Sequence, residues 1–213
     1  MDTRPPAVPN HHAHYPGLAG VRGLIAAATM LAGRERYARL AGQLSGLAAN
    51  DTVADIGCGP GGAVRHAGRL GASAIGVDPA PVMLRVARLV TREADRVRFA
   101  QGSAESIPLP DASVTVLWSI ACVHHWADVN KGLAESRRVL CPGGRLVVIE
   151  RRSVPNARGL ASHGWTEDQA AAFADRCAAS GFEDPRASGH RIGRRVVLSI
   201  TATNPGTAHS RQG

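Results

Sequence analysis

The sequence predicts a doubly wound α/β fold, in which helices cover both faces of a mostly parallel sheet. The first observation is a repeated alternation of short apolar runs with helical patterns between residues 52 and 180. The second is a glycine-rich loop at residues 57–62, directly after the first apolar run. The third is a pair of apolar runs near the C-terminus, joined by a short loop containing Gly189 and Gly193. Such a pair predicts an antiparallel hairpin.

Each element follows from a local pattern. Pro79 and Pro81 open one helix, and Thr166 with Gln169 forms a capping box for another, which Gly181 stops. The segment Pro142-Gly143-Gly144 predicts a turn into an apolar strand. The predicted strands cover residues 52–56, 73–77, 96–100, 113–119, 145–150, 182–187 and 195–203, and the predicted helices cover 63–70, 79–90, 128–140 and 166–180.

The N-terminal segment has a different composition. Residues 1–16 hold four prolines with His11, His12 and His14, which predicts a flexible arm with solvated histidines; no metal site is predicted. Residues 17–50 show helical periodicity, with Leu24, Ala27, Ala28 and Leu31 on one face and a second helix over 36–47. Helices here would lie over the mouth of a nucleotide site or on a sheet face, and we predict the first. Residues 204–213 are predicted to be a flexible tail.

Composition limits the classes of partner. The net charge is +8, but the basic residues are spread along the chain, and only Lys131 among the 25 is a lysine. A solvated basic surface is therefore favoured over nucleic-acid binding. The four cysteines form no CxxC pair, which indicates a reduced, cytoplasmic protein. The most apolar stretch, residues 17–33, is interrupted by Arg22 and Gly23, so no membrane span is predicted.

The glycine-rich loop indicates a cofactor with an adenosine portion. Gly57, Gly59 and Gly62 satisfy GxGxxG, and Asp78 ends the next strand about 20 residues later, where an acid can bind a ribose. A dinucleotide is one alternative. However, a carboxylate at Asp55 would repel phosphates, and Pro60 lacks an N–H that could hold one. The chain also lacks room for a second nucleotide-binding half, so a cofactor with an amino group and a positive sulfur is favoured over NAD(P).

Four ordered motifs resemble those of a known family. They are VADIGCGPG at 53–61, GVDPAPVML at 76–84, GSAESIPLPDASVTVLWSIACVHHW at 102–126 and RVLCPGGRLVVIE at 138–150. Together they are similar to the class I S-adenosylmethionine-dependent methyltransferases, in the ubiquinone/menaquinone-biosynthesis-like (type 11) subgroup. The resemblance implies a Rossmann-like seven-stranded sheet of order 3-2-1-4-5-7-6 with an antiparallel last strand. It also implies that residues 51–203 form an S-adenosyl-L-methionine-binding domain that releases S-adenosyl-L-homocysteine.

The same resemblance implies roles for individual residues. The loop glycines would let the backbone approach the methionine portion, Asp55 would organise the amino group, and Asp78 would bind the ribose hydroxyls or cap a helix. Most relatives have an aspartate where Ser103 stands in the adenine-contacting segment. Met83 would pack near the adenine or in the core. The predicted cofactor-binding set is Asp55, Gly57, Cys58, Gly59, Gly61, Asp78, Pro79, Met83, Ser103, Ala104, Glu105 and Ser119.

Residues 119–125 should form the floor beneath the transferred methyl group. His124 and His125 are the candidate catalytic residues, as a general base or as residues that orient the loop. Arg151 and Arg152 would meet an anionic acceptor or remain solvated, and His163 and Trp165 would line the acceptor pocket. We therefore predict in-line methyl transfer to a small organic acceptor by a monomer or homodimer. The alternatives are an NAD(P)-dependent oxidoreductase, a cofactor-binding protein without turnover, and an RNA methyltransferase.

Overall fold

A seven-stranded sheet of order β3-β2-β1-β4-β5-β7-β6 forms the centre of the molecule. The computed structural model describes residues 35–91, 96–155, 157 and 163–205. Neighbouring strands are parallel except β7, which is antiparallel to both β5 and β6. This confirms the predicted fold class and strand order. The strands are β1 (Thr52–Ile56), β2 (Ser73–Asp78), β3 (Val97–Gln101), β4 (Val114–Ile120), β5 (Leu140–Arg151), β6 (Glu183–Ile192) and β7 (Arg195–Thr203).

Helices connect most of the strands and cover both sheet faces. Asp128 caps α4, because its side chain accepts the backbone N–H groups of Asn130 and Lys131. The predicted capping box of Thr166 and Gln169 is present at the start of α5. The helices are α1 (Glu35–Ser45), α2 (Gly62–Arg69), α3 (Pro81–Val90), α4 (Val129–Val139) and α5 (Glu167–Ala179), with a short 3-10 helix at Val123–His125. The predicted arm, the first predicted helix, and residues 206–213 of the predicted tail lie outside the described residues.

The core has two layers, one on each face of the sheet. Along β5, Leu146 and Val148 pack on the face covered by α4 and α5, whereas Val147 and Ile149 pack on the face covered by α1 and α2. Neighbouring side chains of a strand point to opposite faces, so a strand buried on both faces is a continuous apolar run. Burial on both faces accounts for the apolar sequence LVVI at residues 146–149 of β5.

The structure differs from the prediction near the C-terminus. The predicted turn at residues 142–144 is an irregularity inside β5, which pairs with β4 both before and after it. Gly189 was predicted in the hairpin loop but pairs with Leu198 within β6. The turn is at residues 193–194, where Gly193 has φ +61°. β6 is a largely exposed edge strand, so it lacks the apolar alternation that would have revealed its length.

Asn204 also departs from the prediction, which placed it in the flexible tail. It is buried, and its side-chain N–H groups donate to the carbonyls of Leu140, Cys141 and Arg137 at 2.8, 3.2 and 3.3 Å. The residue therefore fastens the end of β7 to the irregular start of β5. None of the described helices is both long enough and apolar enough to span a bilayer.

Candidate active site

The glycine loop follows β1 and bends back over the end of β2. The N–H groups of Gly57 and Cys58 both donate to the Val77 carbonyl, at 2.8 and 3.1 Å. Gly57, Gly59 and Gly61 have φ of +76°, +53° and +75°, a region that favours glycine. The glycines that adopt the left-handed conformation are therefore those at 57, 59 and 61, whereas Gly62 of the GxGxxG pattern is the first residue of α2. The loop presents backbone without side chains at the carboxyl edge of the sheet.

Asp78 joins this loop to the start of α3. One carboxylate oxygen accepts the Gly59 N–H at 2.8 Å, and the other accepts the Ala80 N–H at 2.9 Å. The residue is 7% exposed. A carboxylate oxygen can accept more than one hydrogen bond, so an oxygen that accepts a backbone N–H can also accept a ligand hydroxyl. Asp78 can thus serve the loop and a ribose together.

Two other predicted cofactor residues occupy different environments. The side chain of Cys58 packs into the core, where a Cβ built at Gly76 would lie 2.7 Å from its Sγ atom. Any contact from Cys58 to a ligand would have to come from its backbone. Met83 is buried in a small cluster with Val82, separate from the two main layers. Asp55 is 3% exposed on the central strand β1, and Pro79 is exposed.

The segment after β3 divides its three predicted residues between different tasks. Ser103 is half-buried and forms an isolated bridge with Ser106. Ala104 is buried in the core layer beneath α4. Glu105 accepts the backbone N–H of Asp128 at 3.2 Å, so its side chain supports the start of α4. Ser103 is therefore the residue of this segment whose side chain is best placed to contact a ligand.

The chain turns sharply after β4, beside the glycine loop. Ala121 has φ +49°, and its N–H donates to the Ile149 carbonyl at 2.7 Å. Cys122 packs against Gly57, since a Cβ built at Gly57 would lie 1.9 Å from its Sγ atom. Ser119 is fully buried, and its Oγ atom has no hydrogen-bond partner among the described residues. The predicted floor residues thus adjoin the cofactor loop.

His124 is held by an acid that the sequence reasoning did not single out. Its Nδ1 atom lies 2.9 Å from Oε2 of Glu150, and its backbone N–H donates to Oε1 of the same residue at 3.4 Å. Glu150 is fully buried and His124 is 6% exposed. The signal was present, because Glu150 is an acid that follows an apolar run at the carboxyl edge, as Asp55 and Asp78 are.

Two further histidines lie beside His124. The ring centroid of His125 is 4.1 Å from that of His124, and the ring of His163 is 5.5 Å from His124 and 5.8 Å from His125. His125 is exposed and His163 is half-buried. The structure therefore brings together three histidines that are separated by up to 39 positions in the chain. His163 was predicted to line the acceptor pocket, and this placement is compatible with that role.

The remaining predicted acceptor residues are used differently. Trp165 is 1% exposed and packs on Phe173 with ring centroids 4.8 Å apart, so it belongs to the core beneath α5. Arg152 forms an exposed ion pair with Glu167 at 3.1 Å. Arg151 and Arg152 line an open cavity of about 260 Å³ together with Arg195. The interaction of Arg152 with Glu167 agrees with a solvated role for that arginine.

Residues 54–148 match the model of a family described as a methyltransferase domain. The demethylmenaquinone methyltransferase of Tropheryma whipplei (strain Twist) is 32% identical over 114 residues, which cover 54% of this chain and 47% of that protein. The 27-O-demethylrifamycin SV methyltransferase of Amycolatopsis mediterranei (strain S699) is 37% identical over 126 residues, which cover 57% and 46%. The chain thus spans about half the length of these curated relatives.

Solved structures share the fold at lower identity. A SAM-dependent methyltransferase from Aquifex aeolicus superposes with a TM-score of 0.66 at 18% identity, over 80% of this chain and 92% of that one. The [4+2]-cyclase SpnF superposes with a TM-score of 0.69 at 20% identity, over 81% and 82%. Proteins named for different reactions therefore share this architecture, and the chemistry depends on the residues of the site.

Proposed function

We propose, on the premise that this chain carries a class I S-adenosylmethionine-dependent methyltransferase domain, that it transfers a methyl group from S-adenosyl-L-methionine to a small organic acceptor. S-adenosyl-L-methionine supplies an electrophilic methyl group and leaves as S-adenosyl-L-homocysteine. Cytoplasmic location and a monomeric or homodimeric state belong to the same proposal. Nucleic acid is not proposed as the acceptor, because the basic residues are dispersed along the chain.

The observation that carries this proposal is the connection between Asp78 and the glycine loop. Asp78 is fixed by two backbone N–H groups, and in this proposal its carboxylate accepts hydrogen bonds from the ribose hydroxyls. The left-handed glycines 57, 59 and 61 leave room for the amino-acid portion of the cofactor, and Asp55 lies buried on the adjoining strand. The residues present therefore fit a cofactor with a ribose and a cationic amino-acid group.

The acceptor would lie above the turn at residues 121–125. Cys122 packs against Gly57, so this turn adjoins the cofactor loop, and Ser119 is a buried hydroxyl on the strand that leads into it. Alignment and exclusion of water supply much of the rate of an in-line displacement, so these residues would act mainly by positioning. The names of the two curated relatives describe small organic acceptors, which supports the same class here.

The cofactor part of the proposal is tested by calorimetry. S-adenosyl-L-homocysteine should bind to the purified chain, whereas NADH should not. Asp78→Asn and Asp78→Ala should weaken S-adenosyl-L-homocysteine binding by about 100-fold, because two charge-assisted hydrogen bonds together contribute about 3 kcal/mol or more. Asp168→Ala, which removes an exposed acid at the start of α5, is the matched control and should bind normally. Tight NADH binding without a response to S-adenosyl-L-homocysteine would indicate an oxidoreductase.

Turnover is tested separately with S-adenosyl-L-methionine labelled in its methyl group. A panel of quinols, phenols and small amines is incubated with the protein, and label in the organic products is counted. We expect transfer to at least one class of acceptor, and loss of that transfer in Asp78→Ala. Binding of S-adenosyl-L-homocysteine without transfer to any acceptor would instead indicate a cofactor-binding protein without turnover.

A further inference from the structure

We propose that His124, His125 and His163 form a binding site for a divalent transition-metal ion, with Zn²⁺ as the expected ion. Each histidine offers one ring nitrogen, and these three nitrogens all lie within 4.8 Å of one another. Three imidazole side chains with ring nitrogens this close together form a set of nitrogen ligands for a single ion. Imidazole nitrogen suits zinc, nickel, copper and iron, whereas calcium and magnesium prefer oxygen ligands.

The spacing of the nitrogens is compatible with a metal site after small side-chain movements. A zinc–nitrogen bond of 2.0–2.1 Å in tetrahedral geometry places ligand nitrogens about 3.4 Å apart. The separations here are at most 4.8 Å, so ring rotations that bring the nitrogens about 1 Å closer would complete the arrangement. His125 is exposed and His163 is half-buried, and side chains with that much solvent contact can make such rotations.

Glu150 provides a second, independent observation. Its Oε2 atom lies 2.9 Å from Nδ1 of His124, which orients the imidazole ring. A ligating histidine generally donates its other ring N–H to a carboxylate or a carbonyl, as this pair would do. Glu150 is fully buried, and a buried carboxylate is costly without compensating positive charge. A divalent ion on His124 would supply that charge one residue away.

Three protein ligands would leave one coordination position open. Catalytic zinc sites have this composition, with water or substrate in the fourth position. The turn that carries His124 and His125 begins at Cys122, which packs on Gly57 of the cofactor loop. An ion at the histidine cluster would therefore hold a hydroxyl oxygen of the acceptor near the transferred methyl group and promote loss of its proton to solvent water. The oxygen would then form the bond to the methyl carbon as the carbon–sulfur bond breaks and S-adenosyl-L-homocysteine leaves. This catalytic role depends on the proposed function, whereas ion binding does not.

Metal ligation replaces the general-base role predicted for His124 and His125. A nitrogen that binds a metal has no lone pair with which to accept a proton, so one histidine cannot do both at once. A general base needs a single imidazole and a single carboxylate partner. Three imidazoles with ring nitrogens within 4.8 Å of one another are not explained by that role, and the cluster favours ligation.

The test is a metal titration of the full chain, produced without a polyhistidine tag and freed of metal with a chelator. Because His11, His12 and His14 could bind metal on their own, the background variant is His11→Ala/His12→Ala/His14→Ala. Co²⁺ is added first, since its visible absorption reports coordination geometry, and Zn²⁺ then displaces it. We expect about one equivalent of either ion to bind to the background variant, with a spectrum typical of four-coordinate cobalt.

Substitutions in the cluster identify the ligands. In the background variant, His163→Ala and His125→Ala should each weaken Zn²⁺ binding by more than about tenfold, and Glu150→Gln should weaken it by about 10- to 100-fold. His190→Ala is the matched control, because His190 bonds Ser199 on the edge of the sheet and should not affect metal affinity. The two single substitutions avoid His124→Ala, which would leave Glu150 buried beside a cavity.

The proposal is overturned if the background variant binds no stoichiometric metal. It is also overturned if His163→Ala and His125→Ala bind Zn²⁺ as tightly as the background variant does. Calorimetry with S-adenosyl-L-homocysteine on the same proteins separates this result from the proposed function. A chain that binds S-adenosyl-L-homocysteine but not Zn²⁺ would contradict the metal site while supporting the cofactor assignment. A chain that binds Zn²⁺ but not S-adenosyl-L-homocysteine would support the metal site and contradict the cofactor assignment.

Discussion

The Sγ atom of Cys122 occupies the space in which a side chain at Gly57 would lie, because a Cβ built on Gly57 would be 1.9 Å from it. The contact joins the loop after β1 to the turn after β4. The first of these carries the predicted cofactor glycines, and the second carries His124 and His125. The two halves of the candidate active site are therefore coupled by close packing at one position.

Replacing Gly57 by alanine should destabilise the protein by more than the cost of a left-handed backbone alone. Gly57→Ala combines a left-handed backbone with a clash against Cys122, so we expect a loss of about 3 kcal/mol in the free energy of unfolding. Gly143 has the same φ of +76° but nothing within 4 Å of an added Cβ, so Gly143→Ala should cost only about 1 kcal/mol. Urea unfolding measures both. The free energy of unfolding of the Gly57→Ala/Cys122→Gly double variant should exceed, by at least about 1 kcal/mol, the value expected from adding the losses of the two single variants. Losses that simply add would contradict the coupling.

Substituting Ser103 by aspartate should strengthen cofactor binding. The sequence resemblance implies an aspartate at this position, whereas the half-buried Ser103 offers only a neutral hydroxyl. A charge-assisted hydrogen bond to the adenine amino group should add about 1 kcal/mol, or about fivefold in S-adenosyl-L-homocysteine affinity by calorimetry. Ser106→Asp, at the exposed neighbour of Ser103, controls for added negative charge and should have little effect. Equal affinity in Ser103→Asp and the parent would argue against adenine contact by this segment.

Removing the Asn204 side chain should weaken the sheet. Asn204→Ala leaves buried carbonyls of β5 without their donors and removes the acceptor for Arg137, whose Nε donates to Asn204 at 3.2 Å. We expect a loss of about 2–3 kcal/mol in the free energy of unfolding, measured with urea. Asn130→Ala is the control, because Asn130 is exposed and bonds Arg176 at the surface. It should cost less than about 0.5 kcal/mol.

Glu135 should make stability depend on pH in the acid range. Hydrogen bonds from the Arg138 guanidinium hold the pKa of the Glu135 carboxyl below its ordinary value of 4.5, with a further contribution from the Ile107 N–H. The stabilisation is therefore complete above pH 4.5 and is lost as the pH falls through the lowered folded-state pKa. Glu135→Gln should lower the free energy of unfolding by about 1 kcal/mol at pH 7.

The difference in free energy of unfolding between Glu135→Gln and the parent protein should become smaller when urea unfolding is repeated at progressively lower pH. Glu167→Gln provides the comparison, because its ion pair with Arg152 is exposed, and it should change stability by less than about 0.5 kcal/mol. A gap between parent and Glu135→Gln that stays constant down to pH 3 would contradict the interpretation of this carboxylate.

The fold could be predicted because its signals are local and ordered. The apolar runs and the glycine loop indicated the strand–helix alternation. Four motifs in the right order indicated a methyltransferase domain, and residues 54–148 match a family model of that description. Thr166 and Gln169 predicted the start of a helix correctly because a capping box involves only neighbouring residues. Local patterns such as a capping box can be recognised in a single sequence.

The candidate site could be predicted only in part, since several of its contacts join distant residues. Glu150 and His124 are 26 positions apart and meet only when β4 and β5 pair. Cys58 and Trp165 were predicted to lie in the site, but their side chains pack into the core. The direction of a side chain after a glycine turn depends on its tertiary neighbours, and the sequence pattern does not specify it.

The position of β7 has a consequence for synthesis on the ribosome. In the sheet, this strand lies between β5 and β6, and its end is held by Asn204. In the chain, it is the last of the seven described strands, so it leaves the ribosome after the other six. Until it emerges, the outer edge of β5 has exposed N–H and C=O groups with no neighbour, and an open edge of this kind invites pairing with other chains. A nascent chain stalled just before β7 should therefore depend on chaperones more than one stalled just after residue 204 does.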